Sequence, residues 1–397
     1  MQVDSAVEQG VPFDGGQRTG LWTNVPATVW AVAYVAAAVL MYRLRVSREM
    51  VDFDVYRVAA LRAMDAAPLY QDADGHYLFK YLPAFALAAA PLGFMSQSLG
   101  KALWFACSTG LLAAFVLTSA HALPDRRQTI RILVWITVVF MAKFYARELG
   151  IGQSNVLLGT LLVGMLVAAQ AGRVSLAGVL AGAAVFVKPY ALLLLVWLVV
   201  TYGRTAAIAS LSTVVAGLVL PATVYGWSGN LALLSEWYRV VTGSTESNLL
   251  GADSVSLASM WAKWIGIGTA ATMMAILSTF AVLGLGGLLW LRRGTVRSPA
   301  YLEAALLMLL VPLISPQGWD YVLLLGTPAV ICLVDRWQEL EREWKFLAAL
   351  SLALMGLTLF DIMGRELYAQ FMALSLVTVA ALGVAASMAR LRWKRLA

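Results

Sequence analysis

Apolar runs recur along almost the whole of this chain, and that recurrence limits the folds open to it. They fall near 22–42, 81–95, 101–120, 131–144, 152–171, 174–187, 189–202, 205–227, 264–291, 300–315, 319–335, 346–360 and 367–389. One soluble core does not need so many. With 61% of 397 residues hydrophobic and 13% charged, the pattern is that of an all-α polytopic membrane protein, read as a single domain over 1–397. A straight helix needs roughly 20 residues to cross the hydrocarbon. Several runs are shorter or touch prolines, which is tolerated where a broken helix is buried in protein or lines a wet cavity. Cys107 and Cys332 both lie in apolar runs and read as buried thiols rather than a disulfide. His76 and His121 are the only histidines, so a histidine-based metal site is not expected, and no metal or other cofactor is inferred. The net charge of +7 fits cytoplasmic loop bias and attraction to membrane lipids, with no case for nucleic acid. The polar start lacks the basic and cleavable features of a signal peptide, so the first apolar run is read as a retained anchor.

Lysine and arginine placement sets orientation. The basic terminus "RLRWKRLA" is placed in the cytoplasm, with "RRGTVR", Arg204, Arg173 and "PDRRQTIR" on the same side. The opposite face collects "KFYARELGIGQSN", Lys188-Pro189, a long loop over 228–263, "SPQGWD" and "DIMGRE". The polar, aromatic and acidic clusters thus segregate from the basic ones. Thirteen crossings put 43–80 inside, whereas twelve put it outside with these clusters, if 81–95 is a short non-spanning helix. Counting cations alone favours thirteen, since 43–80 carries five arginines and Lys80.

Within 43–80 stands "DFDVYRVAALRAMDA" (52–66), an amphipathic helical segment suited to the interface. Phe53, Val55, Val58, Ala59, Leu61 and Ala63 make its apolar side. Asp52 and Asp54 open it. One reading makes Asp52 an N-cap and Asp54 a first-turn charge, favoured by the helix dipole by ~0.3–1 kcal/mol. The other makes Asp52 a general base at the membrane surface, with Tyr56 on its face of the helix.

"DFDVYRVAALRAMDAAPLY" resembles the D-x-x-V-Y…A…A…G-x-x-L-Y signature of glycosyltransferase family 87. "FKYLPAFALAAAPLG" is similar to that family's F-x-Y-P-P-x-x-A…P-L, with Leu82 in place of the first proline. "LGIGQSNVLL" matches G-Q-x-N-x-L, and "GVLAGAAVFVKPYALLLL" resembles G-x-x-x-G-x-A-x-x-x-K-x-x-P, with the proline here directly after Lys188. "LISPQGWDYVLLL" resembles S-P-x-x-W-x-x-x-x-x-L, with Asp320 and Tyr321 where many members carry histidines. The resemblance covers roughly 50–330. It implies a GT-C-like fold of about twelve transmembrane helices. It places 1–21 in the cytoplasm and 43–80, with an interfacial helix, in the first extracytoplasmic loop. The expected setting is a bacterial cytoplasmic membrane with the active site on the extracytoplasmic face.

The resemblance also implies transfer of a sugar, mannose first, from a polyprenyl phosphate to a lipid or glycan acceptor. A base must take the acceptor proton, cations must hold the departing phosphate, and an apolar groove must hold the prenyl chain. Asp52 is the expected base and Asp54 the second candidate. Lys80, Arg147 and Lys188 are the candidates for the phosphate; Lys188 interrupts a deep apolar run, where charges are usually functional, unless it snorkels to the interface. Arg147 could instead pair with Glu148. Tyr56, Gln153, Asn155, Gln317, Trp319 and Asp320 are candidate sugar or acceptor contacts; Gln153 and Asn155 serve equally as interhelical hydrogen bonders, and Trp319 as an interface aromatic. Loop 228–263, with Trp237, Tyr238, Glu246 and Asn248, is expected to cover the site. The competing readings are an arabinofuranosyl- or glucosyltransferase of the same mechanism, a transporter or flippase of a lipid-linked sugar, and a non-catalytic scaffold.

Overall fold

The computed structural model describes residues 25–296 and 298–394; segment 1–21 and the side chain of Glu246 lie outside what is described. The chain divides between Leu44 and Arg45 into two compact units. The first contains the apolar helix Ala27–Leu44, whose 18 residues span ~27 Å at 1.5 Å per residue and carry Arg43 in the last turn. The second holds every other helix. Among the described residues there is no β-strand, only an isolated bridge between Ser254 and Trp319.

Among the described residues, four helices are long and apolar enough to cross a membrane: Ala27–Leu44, Gln97–Ala122, Thr269–Leu291 and Leu376–Lys394. The pair Arg204–Val219 and Ala222–Gly243, bent by 89°, makes a fifth if taken as one span. The expected dozen is therefore not reached by helix length. The remaining apolar runs break up, and the breaks fall on particular residues. Lys188 precedes Pro189 and takes extended geometry (φ −153°, ψ 127°), as residues before proline do, so Val174–Val187 stops there and Leu192–Tyr202 starts anew. Run 319–335 becomes a 3-10 turn, Asp320–Gly326, and a nine-residue helix, Thr327–Asp335. Run 81–95 becomes two short helices, Pro83–Ala88 and Ala90–Gly93, each starting at or beside a proline and neither able to cross ~30 Å of hydrocarbon.

The expected long loop 228–263 is largely helical. Ala222–Gly243 runs through it past a non-helical Gly226 (φ 69°), followed by Thr245–Leu249 and Leu257–Ile265. Leu233 and Val240, seven residues apart, are buried on one face, so helical periodicity is present where polarity suggested a loop.

The core centres on Pro299–Ile314 and Thr327–Asp335; every residue of the latter is buried. Val174–Val187 meets Arg204–Val219 at close range. A Cβ on Gly178 would come within 2.6 Å of the Ala209 Cβ, and one on Gly182 within 2.7 Å of the Thr213 Cβ. The G-x-x-x-G spacing thus lets two backbones approach, as it does in membrane helix pairs. Cys332 is buried as expected, whereas Cys107 is exposed on Gln97–Ala122; both are free thiols.

The helix Val51–Met64 forms where expected, but its inward face is Phe53, Tyr56, Ala59, Ala60 and Ala63. Val55 and Leu61 are only partly buried and Val58 is exposed, so the apolar side drawn from sequence is rotated. Asp52 is not its N-cap. That position is Met50, in the left-handed region at φ 50°, whose N–H donates to the Gly150 carbonyl at 3.2 Å.

Candidate active site

The turn between Ile130–Ile151 and Asn155–Gln170 organises the polar centre. Gly152 ends the first helix at φ 75°, a conformation open to glycine, and a Cβ there would lie 3.1 Å from both Met50 Cε and Phe53 Cβ. This glycine therefore lets the turn sit against the start of the Asp52 helix. The next residue, Gln153, is buried and acts as a hub. Its Oε1 accepts from Tyr56 Oη and Tyr81 Oη, each at 3.2 Å, and from Lys188 Nζ at 3.3 Å. Its Nε2 donates to Tyr321 Oη at 3.4 Å. The two phenols share a hydrogen bond of 2.7 Å, and Tyr81 Oη lies 3.1 Å from Ser154 Oγ.

Asp52 faces this centre. Its carboxylate interacts electrostatically with Lys80, Lys188, Tyr56, Tyr81 and Tyr321. Burial pushes the Lys80 ammonium below the ordinary lysine value, and Asp52 pulls it partly back. Burial first, then the neighbouring phenol and carboxylate, holds the Tyr56 hydroxyl protonated, and burial with Asp52 does so at Tyr81. Both remain hydrogen-bond donors at neutral pH. Tyr56 itself is enclosed by Tyr81, Phe85 and Trp104 rings at 5.1–5.3 Å, so only its hydroxyl reaches the centre.

Glu148 and Asn155 stand behind Lys188. Fully buried Glu148 accepts from Asn155 Nδ2 at 2.8 Å and from the Val156 N–H at 3.0 Å, and interacts with Lys188. Tyr190 Oη donates to Asn155 Oδ1 at 3.2 Å. The structure gives Arg147 different partners from the Glu148 considered above: Asp253 at 2.5 Å and Asp320 at 3.0 Å. Asp320 N–H donates to the Asp253 carbonyl at 2.9 Å and Val255 N–H to the Gly318 carbonyl at 2.8 Å. Gln317 Nε2 reaches the Val241 carbonyl and Ser244 Oγ, both at 3.0 Å. Arg147, Gln317, Trp319 and Asp320 thus form a clasp between the 241–255 segment and the 317–320 turn. It touches the centre where Arg147 stacks 5.4 Å from the Tyr321 ring.

Asp54 belongs elsewhere. Two residues past Asp52 on a helix, it faces away and pairs with Lys101 Nζ at 3.0 Å and Gln97 Nε2 at 2.8 Å. Lys101 also donates to the Glu49 carbonyl at 3.0 Å, clamping the turn that leads into Asp52. Trp237 Nε1 of Ala222–Gly243 donates to the Lys80 carbonyl at 3.1 Å, holding that segment over the centre. The structure therefore brings together Asp52, Lys80, Lys188, Tyr56 and Gln153, backed by Asn155. It adds Tyr81, Ser154, Glu148, Tyr190, Tyr321 and Lys101. Lys101 carried a signal in the sequence, a lone charge entering an apolar run. Among the described residues no group of three or more His, Cys, Asp or Glu side chains is placed to hold a metal ion.

Two lysines and an aspartate gathered about one buried polar hub in a helical membrane protein can hold an anionic group beside a carboxylate able to accept a proton. The family model of glycosyltransferase family 87 matches residues 79–316, more than half of the chain, and the protein belongs to that family. The match takes in Lys80, Arg147, Gln153, Asn155 and Lys188 and begins downstream of Asp52. Neither a curated protein nor a solved structure gives a match.

Proposed function

We propose that this glycosyltransferase moves a sugar, with mannose the first to test, from a polyprenyl phosphate to a hydroxyl of a lipid or glycan acceptor. The site is assigned to the extracytoplasmic face of a bacterial cytoplasmic membrane, with Asp52 as the base. The acceptor oxygen attacks the anomeric carbon as Asp52 takes its proton. The bond from that carbon to the phosphate oxygen breaks, and the phosphate leaves with the electron pair. Lys80 and Lys188 receive the growing negative charge, and the Tyr81 hydroxyl supplies a neutral donor beside them. Gln153 holds Lys188 and both phenols in register. Arg147, already between two carboxylates, orients the 317–320 turn rather than the phosphate.

The carrying observation is that Asp52 interacts with both Lys80 and Lys188 while Asp54 is engaged by Lys101. The purified chain, given polyprenyl phosphates of mannose, arabinose and glucose, is expected to transfer one of them. Asp52→Asn abolishes transfer and Asp54→Asn leaves part of it. An active double variant with both aspartates replaced by asparagine rules the mechanism out. A cysteine placed at Asp65 and labelled from outside intact cells checks the sidedness; labelling only after lysis refutes it.

A further inference from the structure

A second cavity lies far from Asp52. The helices Gln97–Ala122 and Asn155–Gln170 both start at the polar centre, near Lys101 and at Asn155, and both end beside a crevice of about 840 Å³. Lys101 and His121 are 20 positions apart on one helix. At 1.5 Å per residue that is ~30 Å, the thickness of the hydrocarbon. With Asn155–Gln170 rising ~23 Å beside it, the crevice lies toward the other leaflet from the candidate active site.

Its polar wall is made by His121, Gln170, Tyr202 and Arg293. Arg293 is held only at 3.6 Å from Glu303, with about a quarter of its side chain exposed (26%). His121 Nδ1 lies 2.7 Å from the Leu117 carbonyl, which fixes the proton on Nδ1 and leaves Nε2 open. Arg126, Arg173 and Arg204 are exposed, each two residues from a lining residue (Pro124, Ala171 and Tyr202). Against these cations stand Asp125 on the rim and Glu303, which is already bonded by Trp197 Nε1 at 3.0 Å. Leu117 and Val167, also lining the crevice, are exposed on adjoining helices and continue the wall as apolar surface.

A basic, membrane-level crevice with an apolar wall suits a lipid phosphate whose chains run down that wall. We propose that it binds the headgroup of an anionic glycerophospholipid in the leaflet opposite Asp52. Arg293 meets the phosphate, the rim arginines supply the field, and Leu117 and Val167 meet an acyl chain.

The test uses the full chain purified in a mild detergent. Native mass spectrometry measures retention of phosphatidylglycerol, phosphatidylcholine and polyprenyl phosphate. Phosphatidylglycerol is expected to be retained at least tenfold better than phosphatidylcholine. Each arginine removed is expected to weaken it by about fivefold, from ~1 kcal/mol per cation near the surface. The exposed pair Arg173→Gln and Arg204→Gln leaves the fold intact, so it is read alongside Arg293→Gln. Equal retention of the two phospholipids, unchanged retention in the pair and in Arg293→Gln, or displacement of phosphatidylglycerol by equimolar polyprenyl phosphate would each overturn the assignment.

Discussion

Replacing Lys188 with methionine separates the stability of the site from its chemistry. Lys188 donates to Gln153 Oε1 at 3.3 Å and interacts with Glu148 and Asp52. Glu148 is fully buried, and its two hydrogen-bond donors, from Asn155 and Val156, are neutral. Removing the cation leaves that carboxylate without this charged partner. Leaving a buried charge without its compensating cation costs up to ~3–5 kcal/mol, or about 6–10 °C in Tm at roughly 2 °C per kcal/mol. Adding Glu148→Gln removes the stranded charge, but Asn155 and Val156 reach different carboxylate oxygens, so the single amide oxygen keeps one donor and the amide NH2 faces the other. The double variant should therefore recover part of the loss, with ~1–3 kcal/mol remaining from the donor left without an acceptor. Transfer should not recover, because a lost cation at the leaving phosphate costs ~10²–10³ in kcat. Tryptophan fluorescence during heating in detergent reads the first quantity, and transfer of labelled sugar from its polyprenyl phosphate reads the second. A single variant as stable as the parent refutes the pairing, and a double variant transferring at near-parental rates refutes the role of Lys188.

Lys80 sets an alkaline limit. Burial lowers its proton affinity, so it is charged below that lowered value and loses its charge as pH rises through it, earlier than an exposed lysine would. Lys80→Arg should extend activity to higher pH; an unmoved alkaline limb in the pH–rate profile excludes Lys80 from phosphate binding. Lys101→Met removes the ion pair to Asp54 and the bond to the Glu49 carbonyl. It should lower kcat about tenfold, from ~1.5–3 kcal/mol of charge-assisted bonding, with KM little changed and Lys101→Arg largely restored; a parental kcat denies that the clamp positions Asp52. Gly318→Ala drives a Cβ into the Pro312 carbonyl oxygen and should destabilise the clasp by ~1–3 kcal/mol, read as a lower Tm; an unchanged Tm shows that the turn yields.

The sequence exposed what is local. The helix at 51–64, the break at Lys188-Pro189 and the turn at Gly152-Gln153 follow from periodicity, proline geometry and glycine. Partnerships across the fold were less legible. Arg147 and Glu148 are adjacent in the chain, so pairing them was the short inference, yet successive helical residues point about 100° apart and meet different neighbours. Asp52 and Asp54 differ for the same reason. Tyr81 and Tyr321 stand inside the motifs yet do not read as site residues, and Tyr190 gives no signal, because an aromatic in an apolar run reads as core until a hydroxyl is seen to reach a polar hub. Helix length alone accounts for four or five spans among the described residues, because apolar runs are read along the chain whereas length is counted on unbroken helix.

The arrangement carries a consequence for order in the proposed reaction. Two lysines and two carboxylates share the centre, so without substrate Asp52 has Lys80 and Glu148 has Lys188 near at hand. A carboxylate beside an ammonium is a weak base. An incoming phosphate competes for both lysines and draws their charge from Asp52, which then holds a proton more strongly at the moment an acceptor hydroxyl must lose one. Donor binding thus activates the base, and an acceptor arriving first meets an aspartate still quenched by Lys80. Transfer should therefore follow an ordered course with donor first, and the released polyprenyl phosphate should compete with donor rather than acceptor. Competition of that product with the acceptor alone would show that the lysines never leave the carboxylates.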